Sequence, residues 1–125
     1  MELKVGLLGG GSWGTMVAAI ATRNAPVMMW ARDAATVEDI NRNHCNSRYL
    51  PGAALPKALR ASNDIGEVVA QADVVVMGVP SGAFRGVLEE VAQHIRPWVP
   101  VISLTKGLEL SSGKRMSELI VECLP

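Results

Sequence analysis

Apolar runs alternate with polar turns along this chain, and their spacing switches between a strand period and a helix period. Leu3 to Leu8 predicts a first strand, and Ser12 to about Asn24 a first helix with Met16, Val17, Ile20 and Ala21 on its apolar side. Pro26 restarts the chain, and Val27-Met28-Met29-Trp30 reads as a second buried strand. Asp33 is a candidate N-cap for a second helix through Ala34, Val37 and Ile40. A weak third strand is expected near Leu59 to Ala61, followed by a short helix over Asp64 to Ala70, capped by Asn63 or Asp64. Val74-Val75-Val76-Met77-Gly78-Val79 is almost continuously apolar, which fits a strand buried on both faces of a parallel sheet. Pro80 ends that run. Ser81 is placed to cap the next helix, in which Phe84, Val87, Leu88, Val91 and Ile95 repeat at helical spacing as core packing. Val99 to Leu104 predicts another strand, and Met116, Leu119, Ile120 and Cys123 mark a last amphipathic segment. Asn43 to Lys57, with Pro51, Gly52 and Pro56, reads as a surface excursion within one domain.

Strands alternating with helices predict an α/β fold, a doubly wound parallel sheet with right-handed crossovers. In such sheets ligands bind beyond the carboxyl ends of the strands. Those ends are Gly9 to Gly14, Ala31 to Asp33, Gly78 to Ser81 and Thr105 to Gly107, so a site would draw on four separate segments.

The first of these segments carries the strongest chemical signal. Gly9-Gly10-Gly11-Ser12-Trp13-Gly14 lies between an apolar strand and a helix, which is the context a G-x-G-x-x-G phosphate turn requires. Gly9 allows a tight turn, Gly11 lets a pyrophosphate approach the backbone, and Gly14 lets the helix pack closely on the strand. The amides at the helix start and the positive end of its dipole would face the phosphates. The expectation is a dinucleotide site. A secretory leader is the competing reading of this stretch, with Lys4 as its charge and Ala19-Ile20-Ala21 as its cleavage site. The four glycines at its centre argue against an apolar leader helix.

Composition narrows the picture further. The 125 residues suffice for one compact domain, and 49% hydrophobic residues suffice for a core. Twelve basic against twelve acidic residues give no bias toward nucleic acid or an anionic membrane. No apolar run is long enough to span a bilayer. Cys45 and Cys123 are too few for a disulfide framework and have no metal-ligand spacing to His44 or His94. They read as a loop thiol and a half-buried helix thiol, with a reducing, cytoplasmic setting as the default.

An NAD-selective site places a carboxylate at the end of the second strand, to accept from the ribose hydroxyl. Trp30-Ala31-Arg32-Asp33 stands there instead. Arg32 can bind a 2′-phosphate, stack on adenine or remain a surface arginine, and Asp33 sits better as a cap than as a ribose ligand. The cofactor expected is NADPH or NADH, with NADPH favoured. Lys106 follows the strand Val99 to Leu104 at its ligand-binding end. An ammonium there can stabilise charge on a substrate oxygen or hold a phosphate, or it can be an ordinary turn lysine.

Along nearly the whole chain these motifs resemble the bacterial-type NAD(P)-dependent glycerol-3-phosphate dehydrogenases. The likeness rests on Gly9-Gly10-Gly11-Ser12-Trp13-Gly14-Thr15, on Trp30-Ala31-Arg32-Asp33 and on Asn46-Ser47-Arg48-Tyr49-Leu50-Pro51-Gly52. Val79-Pro80-Ser81 and Thr105-Lys106-Gly107-Leu108-Glu109 complete it. The resemblance implies a Rossmann-type nucleotide-binding domain and the interconversion of dihydroxyacetone phosphate and sn-glycerol 3-phosphate with NAD(P)H, a step of phospholipid precursor synthesis. It implies Gly9, Gly11, Ser12, Trp13 and Gly14 on the pyrophosphate side, Arg32 at the adenosine end, and Tyr49 and Pro80 as further cofactor contacts. Lys106 would touch both the nicotinamide end and the substrate.

The family's chains are longer and carry a helical substrate domain. Residues 1–125 are therefore expected to be the nucleotide-binding domain, incomplete before its last strands. The lysine that transfers the proton in the family matches no residue here, so no catalytic residue is assigned within the chain and none of its own turnover is expected. An uncovered sheet edge would invite homodimer formation or other self-association. Two other readings compete. One is a stand-alone NADPH-binding module that senses redox state. The other is an NADPH-dependent reductase of the hydroxyisobutyrate or ketopantoate type, against which Tyr49-Leu50-Pro51 and Lys106-Gly107-Leu108-Glu109 argue.

Overall fold

The computed structural model describes residues 2–125. Strands and helices alternate as β1 (Val5–Leu8), α1 (Ser12–Ala21), β2 (Val27–Trp30), α2 (Ala34–Glu38), β3 (Arg60–Ser62), α3 (Ile65–Gln71), β4 (Val74–Met77), α4 (Ser81–Ala92), β5 (Val101–Ser103) and α5 (Met116–Cys123). A π-helical turn, Asp39–Asn43, continues α2. Every strand pairing is parallel, and the order across the five-stranded sheet is β3-β2-β1-β4-β5. The chain thus leaves β1 toward one edge and returns to β4 on its other side. The gap between β1 and β4 is the topological switch point at which such sheets bind ligands.

Strand periodicity builds a core on each face. Leu7, Val27, Met29 and Val76 point to the layer that holds Ala18 of α1, Ile40, Leu55 and Leu59. Leu8, Trp30, Val75 and Met77 point the other way, onto α3, α4 and α5 through Val68, Phe84, Leu88 and Leu119. The buried positions expected on α4 at Phe84, Val87, Leu88 and Val91 are all in this second layer. Among the described residues no helix is long and apolar enough to cross a membrane.

Several expectations are corrected. β1 starts at Val5, because Lys4 is occupied at the turn before β4. Its amide donates to the Asp73 carboxylate at 2.9 Å, and its carbonyl accepts from the Asp73 amide at 2.7 Å. α1 ends at Ala21, where the Arg23 and Asn24 amides turn back onto Ile20 and Ala21. Its fully buried residues are Gly14, Thr15 and Ala18, the expected Val17 and Ala21 pack half-buried against the same layer, and Met16 and Ile20 are exposed. Small residues let α1 lie close to the sheet, which forces the bulkier ones outward. Asp64, not Asn63, caps α3 by accepting from the Gly66 and Glu67 amides. Ser81 is the first residue of α4, not its cap. Pro80 holds the cap position in an extended conformation and offers no side-chain acceptor. β4 and β5 are shorter than their apolar runs, but the ladder bonds continue through Gly78 to Leu8 (2.7 Å) and Leu104 to Met77 (2.9 Å).

The segment between β5 and α5 is tied down by an ionic cluster. Arg85 on α4 donates through Nε and Nη2 to Glu109, at 2.6 and 2.9 Å, and reaches Glu122 on α5 at 2.6 Å. Ser112 also donates to Glu109, and Lys114 pairs with Glu122 at 2.6 Å. The Arg85 guanidinium, then the Ser112 hydroxyl, hold the Glu109 carboxyl down at about 2, against an ordinary 4.5. A depressed carboxyl stabilises the fold fully above its unfolded pKa and loses that contribution as it protonates. The stability difference between wild type and Glu109→Gln should therefore be largest above pH 4.5 and shrink as pH falls toward 2. Urea denaturation of both proteins across that range measures it.

Candidate functional site

The switch point opens into a cleft of about 630 Å³, within the size range of cofactor sites. All nine positions singled out from the sequence line it: Gly9, Gly11, Ser12, Trp13, Gly14, Arg32, Tyr49, Pro80 and Lys106. The expected convergence of four strand ends is therefore present in the fold.

Two glycines are required by the backbone. Gly9 turns out of β1 at φ +131°, and a Cβ there would stand 2.5 Å from the Gly78 carbonyl oxygen. At Gly14 a Cβ would stand 2.7 Å from the carbonyl oxygen of Gly9. Gly11 differs, because a Cβ there would meet nothing within 4 Å. It faces the open cleft, so its lack of a side chain leaves room for a ligand against the backbone. α1 starts directly after it with no side-chain cap, and the first intrahelical bond is donated by Thr15 to Gly11 at 3.0 Å. The Ser12 and Trp13 amides precede that bond. The cradle fits a pyrophosphate: free amides, the positive end of a ten-residue helix and no side chain in the way. Trp13 is 63% exposed at its rim.

The end of β2 forms the next wall. Trp30 is buried, and its indole nitrogen donates to the Asn63 carbonyl at 3.1 Å. The Arg32 guanidinium lies over that ring, 5.1 Å from its centroid, and forms no ion pair among the described residues. Asp33 caps α2 as its sequence position predicts. Its carboxylate accepts from the Ala35 amide at 3.1 Å, the Thr36 hydroxyl at 3.0 Å and Arg48 at 3.1 Å. The Thr36 hydroxyl and the Ala35 amide, more than Arg48, hold this carboxyl below its ordinary range.

Residues 46–50 cross this wall as a strap, closed by the Leu50 amide donating to Asn46 at 2.8 Å. Asn46 is 1% exposed. Its amide group donates to the Gly10 carbonyl and to the Thr15 hydroxyl, each at 2.9 Å, and its oxygen accepts from the Tyr49 amide at 3.3 Å. One buried side chain thus ties the strap to the glycine turn and sets where Tyr49 meets the cleft. From the sequence alone Asn46 is only the first residue of the motif that runs to Gly52, with no evident task. A polar residue three positions before a Tyr-Leu-Pro turn is a usable local signal, whereas its partner 36 residues away is not.

Lys106 stands opposite, just past β5. It is exposed on the cleft rim and is in no ion pair among the described residues. Thr105 fixes its base by donating a hydroxyl hydrogen bond to the Val79 carbonyl at 2.5 Å, and Gly107 follows at φ +109°. Thr105 thus ties the start of the Lys106 turn to the chain just past β4, a contact that no local signal in the sequence announces.

A parallel sheet wound 3-2-1-4-5, with a glycine turn opening a helix at its switch point, defines a Rossmann-type dinucleotide-binding domain. Residues 4–125 match the family model described as NAD-dependent glycerol-3-phosphate dehydrogenase N-terminus, and the chain belongs to that family. It is 71% identical over 125 residues to glycerol-3-phosphate dehydrogenase (NAD(P)+) 2 of Sphingopyxis alaskensis, covering 100% of this chain and 38% of that protein. It is 57% identical over 125 residues to glycerol-3-phosphate dehydrogenase (NAD(P)+) 1 of Mycobacterium tuberculosis, covering 99% of this chain and 37% of that one. Among solved structures, glycerol-3-phosphate dehydrogenase from Coxiella burnetii superimposes with a TM-score of 0.90 at 28% identity, over 98% of this chain and 38% of that one. The chain thus spans less than two fifths of the length of these relatives.

Removing the Asn46 amide would leave the Gly10 carbonyl without that donor and loosen the strap. Asn46→Ala is expected to cost about 1–3 kcal/mol of stability, read from urea denaturation followed by circular dichroism.

Proposed function

We propose that this chain is the cofactor-holding part of an NAD(P)-dependent glycerol-3-phosphate dehydrogenase, a cytoplasmic enzyme that interconverts dihydroxyacetone phosphate and sn-glycerol 3-phosphate in phospholipid precursor synthesis. The observation that carries this reading is the cleft at the β1–β4 switch point, with the glycine cradle on one side and Lys106 on the other. Family membership supplies the chemistry.

The amides that open α1, with Gly9, Gly11 and Gly14 clearing the way, hold the pyrophosphate. Ser12 and Trp13 line that side. Arg32 and Tyr49 take the adenosine end, and Arg32 favours NADPH over NADH through charge-assisted hydrogen bonds to a 2′-phosphate. Pro80 borders the nicotinamide half. When bound, the nicotinamide supplies or accepts the hydride. Lys106 is placed to hold the substrate and to stabilise negative charge on its oxygen, from a backbone fixed by Thr105. No lysine, histidine or acid besides Lys106 and Asp33 lines the cleft among the described residues, and Asp33 is engaged as a cap. In our reading the proton-transfer group and most of the substrate-phosphate site belong to a helical domain outside residues 1–125. Residues 1–125 taken by themselves are accordingly expected to show no turnover.

Calorimetric titration tests the reading. Folded chain should bind NADPH and NADH, NADPH more tightly, and Arg32→Ala should weaken NADPH by about tenfold, the loss of one charge-assisted contact. Steady-state assays with dihydroxyacetone phosphate should show no turnover by the chain alone. Failure of the folded chain to bind either cofactor would sink the assignment of the cradle.

A further inference from the structure

Asp33 is the single carboxylate lining the cleft among the described residues, and it stands next to Arg32. Left to itself, it would serve a cofactor with a free ribose hydroxyl and repel one carrying a 2′-phosphate. It is not left to itself. Its Oδ1 accepts from the Ala35 amide, and its Oδ2 accepts both the Thr36 hydroxyl and Arg48 Nη1. Arg48 comes from a different part of the chain, the middle of the strap that Asn46 pins to the glycine turn. Its guanidinium also lies over the Tyr49 ring, 5.1 Å from the centroid.

We propose that Arg48 is a specificity-determining residue: by neutralising Asp33 at the adenosine end, it lets the cleft accept a dinucleotide phosphorylated on the ribose 2′-oxygen. This rests on the cofactor reading of the same cleft. Counting formal charges, Arg32 and Arg48 against Asp33 leave this corner positive. Without Arg48 the formal charges of Arg32 and Asp33 sum to zero, and the Asp33 carboxylate, with no cation paired to it, faces a phosphate that carries up to two negative charges. Arg48 is 65% exposed in this pair, so the ion pair contributes little to folding. Its effect is on the charge that a ligand meets. A free 2′-hydroxyl carries no charge and has little to gain or lose from it.

The test compares NADPH and NADH titrations of the wild-type chain, Arg48→Ala, Arg48→Gln, Asp33→Asn and the double variant Asp33→Asn with Arg48→Ala. Asparagine is as good an N-cap as aspartate, so Asp33→Asn removes the charge and keeps α2 capped. Arg48→Ala should weaken NADPH about fivefold or more, the Coulomb effect of one unmasked charge on a phosphate across a solvated site. NADH affinity should change by less than about twofold, and the NADPH loss should shrink at high salt. Arg48→Gln should behave like Arg48→Ala, and it serves if the alanine variant does not fold. The double variant should regain most of the NADPH affinity. Equal losses for both cofactors, or no recovery in the double variant, would make Arg48 a mere support for the strap and overturn the inference while the cofactor reading stands. A folded wild-type chain that binds neither cofactor overturns both.

Discussion

Gly9 leaves β1 against the backbone of Gly78 as that residue leaves β4, so close that no side chain fits between them. The Gly78 amide is meanwhile bonded to the Leu8 carbonyl at 2.7 Å, which holds the two strand ends together. The rest of the cleft depends on this approach. It lets the chain turn back within three residues and start α1 over the gap between the two central strands. It sets the axis of α1, because Gly14 in turn rests on the Gly9 carbonyl. A side chain at either glycine would lift the helix start away from the sheet, and the first-turn amides would no longer face the opening.

The turn does not stand alone. Gly10 has its carbonyl bonded to Asn46, and a Cβ on Gly10 would fall 2.8 Å from the Ala31 side chain. The glycine segment is thus braced from two directions, by the end of β2 and by the strap. Asn46 suits this task because an amide donates and accepts at once, and a buried amide is tolerated only when those capacities are filled. Here they are, by Gly10, Thr15 and Tyr49. Rigidity of the cradle and placement of Tyr49 are therefore one structural fact, and the loop that reads as a surface excursion is part of the site's frame.

Much of this was legible in the sequence, for identifiable reasons. The strand-turn-helix around Gly9 to Gly14 is local, and every role assigned there depends on neighbours within a few residues. The apolar stripe of α4 and the caps at Asp33 and Asp64 are local as well. α1 shows where periodicity falls short, since Val17 and Ala21 pack on the core but Met16 and Ile20 do not. Met16 and Ile20 look like core residues, but close packing on a sheet selects small side chains, and Gly14, Thr15 and Ala18 are buried instead. Pairings between distant residues were not legible at all. Nothing near Arg48 announces Asp33, and nothing near Arg85 announces both Glu109 and Glu122. Such contacts are set by the order of strands and by loop paths, which local spacing does not encode.

The cleft also divides its work between backbone and side chains. The cradle is made of amides and of absent side chains, which suits it to phosphate, a group that every dinucleotide carries and that cannot tell one from another. On the cofactor reading proposed above, discrimination falls to the side chains around the end of β2, namely Arg32, Asp33, Arg48 and Tyr49. These side chains are exposed or half-buried and belong to two segments with separate attachments to the core. Substitutions among them can change the charge seen by the ribose without touching the turn. The same geometry that makes the cradle intolerant of change at Gly9 and Gly14 leaves the charge at the end of β2 free to vary a few residues away.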